Sequence, residues 1–211
     1  MKIIPFIYKD IDDLCANTYV LIDNSNNCVV IDPSKEYDGL VKYIKKNELN
    51  IKAVLLTHSH VDHFRGAELL IKTFNIPLYI GFYDAPGLKD PILNCSIMLG
   101  QNKTLNIEPI TLSEGQTISV LDEEIYVIDT PYHTCGSVCY YLKESKALFS
   151  GDSLFCRGVG RSDLPTSVRK MQPSSLKKIL SLPEDVKVFC GHGPNTSIEI
   201  EKKFSNYHIF W

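Results

Sequence analysis

The sequence predicts an α/β fold in which two mixed sheets are sandwiched between layers of helices. Short strand-like runs dominate the chain, helical patterns lie between them, and several strands followed by helices occur twice. No repeat, low-complexity tract or linker rich in proline and serine divides the 211 residues, so we expect one domain over residues 1–211. The hydrophobic content of 44% is enough for a sizeable buried core.

The strands are predicted from short apolar runs bounded by turn-forming residues. In chain order they are residues 3–8, 18–22, 28–31, 53–56, 77–80, 117–120, 125–128, 138–142, 147–149 and 186–190. The helices are predicted from apolar residues at helical spacing, at residues 39–46, 67–74, 173–180 and 197–204. Pro173 lies at the first helical position of the third helix, and Thr196 with Glu199 predicts a capping box for the fourth.

Charge and composition exclude several functional classes. The chain has 22 lysines and arginines against 25 acidic residues, and no basic run is interleaved with aromatic residues, so we expect no nucleic-acid partner. Pro5, Lys9 and Asp10 interrupt the apolar N-terminus before a signal peptide or membrane span could form, which predicts a cytoplasmic protein without membrane contact. The seven cysteines show no C-x-x-C spacing, so we interpret them as reduced thiols.

The stretch THSHVDH, at residues 57–63, contains three of the six histidines of the chain. His58, His60 and Asp62 stand at positions i, i+2 and i+4, which places them on one side of an extended segment, whereas a helix would turn His60 to the opposite face. The stretch follows the buried run AVLL and precedes a helical pattern. We therefore predict a ligand-bearing loop at the end of a strand.

Three further residues of ligand type stand just past predicted strands: His133 in PYHTCGS, Asp152 in LFSGDS and His192 in VFCGHGP. Taken singly, such a histidine is more often a hydrogen-bonded loop residue, and Gly-Asp is an ordinary turn. Taken with residues 57–63, all of them could converge on one rim of the sheets. Imidazole and carboxylate ligands without thiolate suit zinc, iron or manganese.

Together these motifs resemble the signature of the metallo-β-lactamase-fold hydrolases, which is T-H-x-H-x-D-H followed by a distant histidine, aspartate and histidine. The resemblance extends over nearly the whole chain, as far as GHGP. It implies a four-layer αββα sandwich with a two-metal site at one edge. In the implied assignment, His58, His60 and His133 hold one ion, Asp62, His63 and His192 hold the other, and Asp152 bridges both.

The family resemblance also implies a chemistry. Two divalent ions, expected to be zinc with iron or manganese as alternatives, would share a bridging hydroxide that forms at neutral pH because the ions lower the pKa of water toward about 7. The second ion, with Asp62 as the candidate catalytic residue, could then stabilise the tetrahedral intermediate or the leaving group. The expected reaction is hydrolysis of a small thioester or ester.

Two segments narrow the expected substrate. Asp152 stands where true β-lactamases of this fold lack the bridging carboxylate, which disfavours antibiotic hydrolysis. Residues 158–165, GVGRSDLP, resemble the G-R-x-D segment of the glyoxalase II-like branch, and Arg161 is our candidate for binding an anionic substrate, with loop ordering together with Asp163 as the alternative. About 19 residues follow His192, whereas full-length glyoxalase II enzymes add a helical domain that grips glutathione, so we expect a thioester without assuming glutathione.

Two other interpretations stay open from the sequence. The persulfide dioxygenases of the same fold share the G-R-x-D segment and use the equivalents of His58, His133 and Asp152 to hold a single non-haem iron. A metal-binding or scaffold protein without activity is the third interpretation, and retention of all seven ligands argues against it because an unused cluster would bury charges for no gain. The sequence carries no indication of oligomeric state.

Overall fold

The computed structural model describes residues 1–8 and 14–204, which build two six-stranded sheets. In the first sheet the strands lie side by side in chain order, with antiparallel pairs from β1 to β3 and parallel pairs from β3 to β6. These strands are β1 Lys2–Phe6, β2 Thr18–Ile22, β3 Asn27–Ile31, β4 Asn50–Leu55, β5 Leu78–Gly81 and β6 Ile110–Leu112.

The second sheet has the order β12-β11-β10-β9-β8-β7, and its described pairs are antiparallel except for the parallel pair β10–β11. Both sheets are therefore mixed, as predicted. The strands of this sheet are β7 Thr117–Ile118, β8 Ile125–Asp129, β9 Val138–Leu142, β10 Ala147–Gly151, β11 Lys187–Cys190 and β12 Thr196–Ser197.

The helices are α1 Asp38–Lys46, α2 Val61–Phe64, α3 Ala67–Phe74, α4 Gln172–Leu180 and α5 Ile198–Phe204, with 3₁₀ turns at Phe82–Lys89, Ile97–Leu99 and Arg169–Met171. None of the helices within the described ranges is long and apolar enough to span a membrane. The predicted domain, residues 1–211, extends past the described residues and stays a prediction.

Three apolar clusters separate the four layers. Neighbouring residues of one strand pack in different clusters: Val20 faces α1 and α3, whereas Leu21 faces the other sheet. The same alternation separates Val30 from Ile31. On the outer face of the second sheet, Leu148 packs in a cluster with residues of α4 and α5. Both faces of the central strands are buried, which explains their continuous apolar runs and confirms the αββα sandwich.

The predicted capping box at the last helix is wrong. Thr196 belongs to β12, and its hydroxyl donates to the buried carboxylate of Glu201, 2.6 Å away. Glu199 instead pairs with Lys203 one turn further on. The Ser197 hydroxyl accepts from the Ile200 amide at 3.3 Å, so Ser197 provides the cap. Strands β6 and β12 were not predicted, because strands of three and two residues are too short to show a periodic pattern in the sequence.

Candidate metal centre

Two ligand loops approach each other at the rim where β4, β8, β10 and β11 end. The Thr57 carbonyl accepts from the Val138 amide at 2.9 Å, and the Tyr140 hydroxyl donates to the Leu56 carbonyl at 2.7 Å. These bonds join the end of β4 in the first sheet to β9 in the second. The loop after β4 is thereby held against the loop between β8 and β9, which carries His133.

The first cluster consists of His58, His60 and His133, all buried. Nε2 of His58 and Nε2 of His133 each lie 3.0 Å from Nδ1 of His60. Nitrogens that are 73 positions apart in the chain are thus brought to hydrogen-bond distance. The structure places these three residues together, as the resemblance implied.

The second cluster consists of Asp62, His63 and His192. Asp62 and His63 lie on α2, and the Oδ2 atom of Asp62 is 3.0 Å from Nε2 of His192 and 3.8 Å from Nε2 of His63. The prediction that Asp62 shares an extended segment with His58 and His60 is wrong, because α2 begins at Val61 directly after His60. This helical turn directs Asp62 away from the first cluster and toward His192.

Asp152 lies between the two clusters. Its Oδ1 atom is 3.3 Å from Nε2 of His63, and its Oδ2 atom is 3.4 Å from Nε2 of His133 and 3.7 Å from Nε2 of His192. Gly191 permits this approach, since a Cβ there would stand 2.3 Å from Asp152 Oδ1. The carboxylate therefore contacts histidines of both clusters, which is the position required of a bridging ligand.

Hydrogen bonds behind the clusters determine the tautomers of three histidines. The Thr57 hydroxyl donates a hydrogen bond to the Asp32 carboxylate at 2.7 Å, so the Thr57 oxygen, 3.1 Å from Nδ1 of His58, accepts from that nitrogen. Nδ1 of His63 faces Asp32 at 2.9 Å, and Nδ1 of His133 faces the Arg161 carbonyl at 2.8 Å. Each Nδ1 therefore carries a proton, and each Nε2 points toward the centre.

This arrangement fits divalent cations. Among the described residues, the buried atoms Nε2 of His63 and Oδ1 of Asp152 have no hydrogen-bond partner, although only 3.3 Å separates them. Buried polar atoms without partners cost roughly 1–3 kcal/mol each. A cation at each cluster would satisfy the lone pairs directed at the centre, and the nitrogen and carboxylate donors suit zinc or iron.

The charges of the site favour the same conclusion. Burial, with the neighbouring His133, lowers the pKa of His60 to about 3, and burial with the surrounding histidines lowers the pKa of His58. Burial alone would raise the pKa of Asp152, but attraction to His63 outweighs it and holds this pKa below its usual range. For His63, burial is outweighed by Asp152 and other carboxylates, which raise its pKa. The imidazoles of His58 and His60 are therefore neutral, whereas His63 is protonated beside the ionised Asp152. A cation bound there would take the place of that proton.

Two functional positions were missed by the sequence analysis. Asp32 accepts from the Thr57 amide at 2.8 Å as well as from the Thr57 hydroxyl, and it orients His63. It follows the buried run CVVI, so the rule that identified Asp152 past its strand would have found it. Asp84 left no such signal. It is buried in the 3₁₀ turn after β5, where burial raises its pKa.

Asp84 joins the two loops of the first cluster. Its carboxylate accepts from the Ser59 amide, the Thr134 hydroxyl and the Gly136 amide, each at 2.8 Å. Ser59 stands between His58 and His60, and Thr134 follows His133. One carboxylate therefore fixes the relative position of all three histidines, across 77 residues of chain from Ser59 to Gly136.

A cavity of about 370 Å³ opens onto the centre, and Asp62, Asp152, His192 and Arg161 are among its lining residues. Nε and Nη2 of Arg161 donate to the two carboxylate oxygens of Asp163, at 2.7 and 2.9 Å. The loop-ordering pair considered from the sequence is thus present, and the Arg161 carbonyl also orients His133. Contact between Arg161 and a substrate stays a prediction.

Comparisons with known sequences show which family the chain resembles. The sequence model of the metallo-beta-lactamase superfamily matches residues 12–192. The chain is 35% identical over 189 residues to the "Probable metallo-hydrolase YqgX" of Bacillus subtilis (strain 168), covering 89% of each protein. It is 31% identical over 167 residues to a hydroxyacylglutathione hydrolase of Prochlorococcus marinus (strain MIT 9301), covering 78% of this chain and 59% of that protein.

Solved structures agree as well. The structure named BLEG-1 B3 metallo-beta-lactamase has a TM-score of 0.90 and 33% sequence identity, with 98% of this chain and 99% of that chain covered. TTHA1623 in a di-iron-bound form has a TM-score of 0.85 and 31% identity, with 97% and 99% covered. The range matched by the family model, residues 12–192, includes all seven ligand-type residues. The chain belongs to the metallo-beta-lactamase superfamily.

Proposed function

We propose that this chain is a dinuclear metal-dependent hydrolase of a small thioester or ester. The observation that carries the proposal is the position of Asp152 between two three-residue clusters whose histidine nitrogens point inward. One cluster would be enough to hold a single structural ion. Two clusters that share a carboxylate, beside a cavity, are typical of hydrolytic two-metal sites.

Bound at the two clusters, divalent cations would supply Lewis-acid activation of a carbonyl group and of water. The protonation of the histidine ligands determines how readily they bind a cation. His58 keeps its proton on Nδ1, away from the centre, and its lowered pKa means that it need not lose a proton before binding a cation. The inward lone pair of His58 is therefore available at neutral pH. His63, whose pKa is raised by Asp152, would release its Nε2 proton as the cation binds.

Asp62 would act on the open side of the site. Burial would raise its pKa, but attraction to His63 and the hydrogen bond with His192 outweigh burial and lower it, so the side chain is a carboxylate at neutral pH. It is 18% exposed and lines the cavity. An anion in this position can accept a hydrogen bond from the attacking water or from the leaving thiol, which orients either for reaction.

The relatives support the reaction class. YqgX is named a metallo-hydrolase, and the Prochlorococcus relative is named for the hydrolysis of hydroxyacylglutathione, a thioester. The similarity to a B3 metallo-beta-lactamase runs against our expectation that antibiotics are not substrates, so a β-lactam belongs in the test. We further propose a cytoplasmic location and a small-molecule substrate, with neither nucleic acid nor membrane as partner.

Metal analysis combined with substrate assays tests the proposal. The purified protein is assayed for zinc, iron and manganese, and then for hydrolysis of S-lactoylglutathione, a simple ester and a β-lactam, before and after chelation and metal return. We expect about two metal ions per chain, zinc first, and chelator-sensitive thioester hydrolysis. The di-iron form of TTHA1623 makes iron the alternative metal.

The same assay separates the competing functions. Hydrolysis of the β-lactam alone would replace the thioester with an antibiotic substrate. One iron per chain, no hydrolysis, and oxygen uptake with a persulfide would replace the hydrolase with the dioxygenase that the sequence left open. Stoichiometric metal without any of these activities would favour a binding protein.

A further inference from the structure

The cavity above the metal centre has two unlike walls. One wall consists of the ligand side chains, among them Asp62, Asp152 and His192. The other wall is apolar and includes Met98, Leu99, Phe155 and Leu164. A substrate that reaches the ligand side chains would therefore also contact apolar residues.

Part of the apolar wall is attached to the metal-binding segment. Asn94 is fully buried, and its carbonyl accepts from the Val61 amide at 3.0 Å, at the start of α2. The Asn94 side chain accepts from the Ser96 amide and donates to the Lys103 carbonyl, both at 2.9 Å. The 3₁₀ turn Ile97–Leu99, which follows directly, therefore has a fixed position relative to α2.

Large apolar residues of this wall are exposed to the cavity. Met98 is 60% exposed and Leu99 is 36% exposed, and both line the cavity. Among the described residues that line the cavity, Arg161 is the one arginine or lysine, and its guanidinium is already bidentate to Asp163. The wall therefore offers apolar contact and no unpaired cationic side chain for a second anion.

We propose that this apolar wall binds the acyl chain of the substrate, so that the enzyme prefers thioesters or esters with unbranched acyl groups of several carbons over acetyl or carboxylated acyl groups. The proposal rests on the function proposed above. The carrier thiols of thioesters, such as coenzyme A, are polar, so the acyl chain is the part that an apolar wall suits. Met98 and Leu99 would then determine the preferred chain length.

A series of acyl thioesters of one small thiol, from acetyl to octanoyl, tests the proposal through kcat/KM. We expect kcat/KM to rise about fourfold for each of the first added methylenes and then to level off, because each buried methylene contributes that factor. In Met98→Ala and Leu99→Ala we expect the hexanoyl-to-acetyl ratio to fall about tenfold. Ile92→Ala is the matched control, since Ile92 is 59% exposed just upstream and lies outside the cavity lining.

The outcomes separate the two proposals. Hydrolysis of the acetyl thioester with no dependence on chain length would overturn the acyl-wall proposal and leave the hydrolase intact. The same holds if a series of acetyl thioesters shows that kcat/KM follows the apolarity of the thiol, or if Ile92→Ala lowers the chain-length ratio as strongly as Met98→Ala. Failure to hydrolyse any member of the series would overturn the proposed function, and the acyl-wall proposal with it.

Discussion

The two ends of the sandwich both carry a cavity lined by carboxylates, yet only one has the features of a reactive site. The cavity opposite the metal rim is the larger, at about 580 Å³, and Asp122, Glu123 and Glu144 are among its lining residues. The cavity at the metal rim measures about 370 Å³. Cavity size and the presence of acidic residues therefore do not distinguish the two ends.

Hydrogen bonding does distinguish them. At the opposite end, Glu123 accepts from the amides of Glu144 and Ser145, at 2.7 and 2.9 Å, and Asp122 accepts from the amide and side chain of Asn24. These carboxylates already have partners and hold turns in place. At the metal rim, buried ligand atoms of His63 and Asp152 lack such partners among the described residues. Buried polar atoms without partners, directed at one point, indicate where a ligand belongs.

The largest effect is expected where the unpartnered atoms converge. In His58→Ala and Asp152→Ala we expect metal-dependent hydrolysis to fall below detection, by more than the roughly 100-fold that loss of an outer-shell partner costs. Both side chains lie at the rim and outside the apolar clusters, so the variants should still fold, which circular dichroism checks. Full activity in either variant would mean that the site assignment is wrong.

Asp32 tests whether the supporting hydrogen bonds matter. In Asp32→Ala we expect metal affinity to fall about 10–100-fold, because His63 loses the acceptor of its Nδ1 proton and Thr57 loses the acceptor for its amide and hydroxyl. Titration of the metal-free protein with zinc measures this change. Unchanged affinity would show that the tautomer of His63 does not depend on Asp32.

Asp84 tests the junction between the two ligand loops. In Asp84→Asn, one of the two carboxylate oxygens becomes an NH2 group, which cannot accept a hydrogen bond. The backbone amide of either Ser59 or Gly136 therefore loses its acceptor, at a cost of about 2 kcal/mol. We expect the melting temperature to fall by about 4–8 °C and metal affinity to fall by about tenfold. A drop in stability with wild-type metal affinity would limit Asp84 to a role in folding.

The smallest effect is expected at the opposite rim. In Glu123→Gln the side-chain carbonyl can still accept from the two backbone amides, so we expect stability to change by no more than about 1 kcal/mol and hydrolysis by less than twofold. Denaturant unfolding and the thioester assay measure both. A loss of activity here comparable to that of Asp152→Ala would remove the contrast between the two ends.

Local patterns account for what the sequence predicted correctly. The central strands are buried on both faces and therefore appear as continuous apolar runs, and strands such as β2 and β9 match their predicted bounds. His133 and Asp152 were identified because each follows such a run, and Asp32 could have been identified in the same way. The capping box failed because the hydroxyl of Thr196 bonds to Glu201, a partner that propensity at the helix start does not predict.

The sequence by itself determined the layered α/β fold, the family resemblance and the set of seven ligand-type residues, because these depend on runs and spacings within short segments. Only the tertiary structure decided which residues support those ligands and what faces them. Asp84 reaches loops 25 and 50 positions away, and Met98 lies over a centre whose ligands come from four strand ends. Such contacts depend on how the two sheets pack, and packing brings together side chains whose separation along the chain carries no pattern.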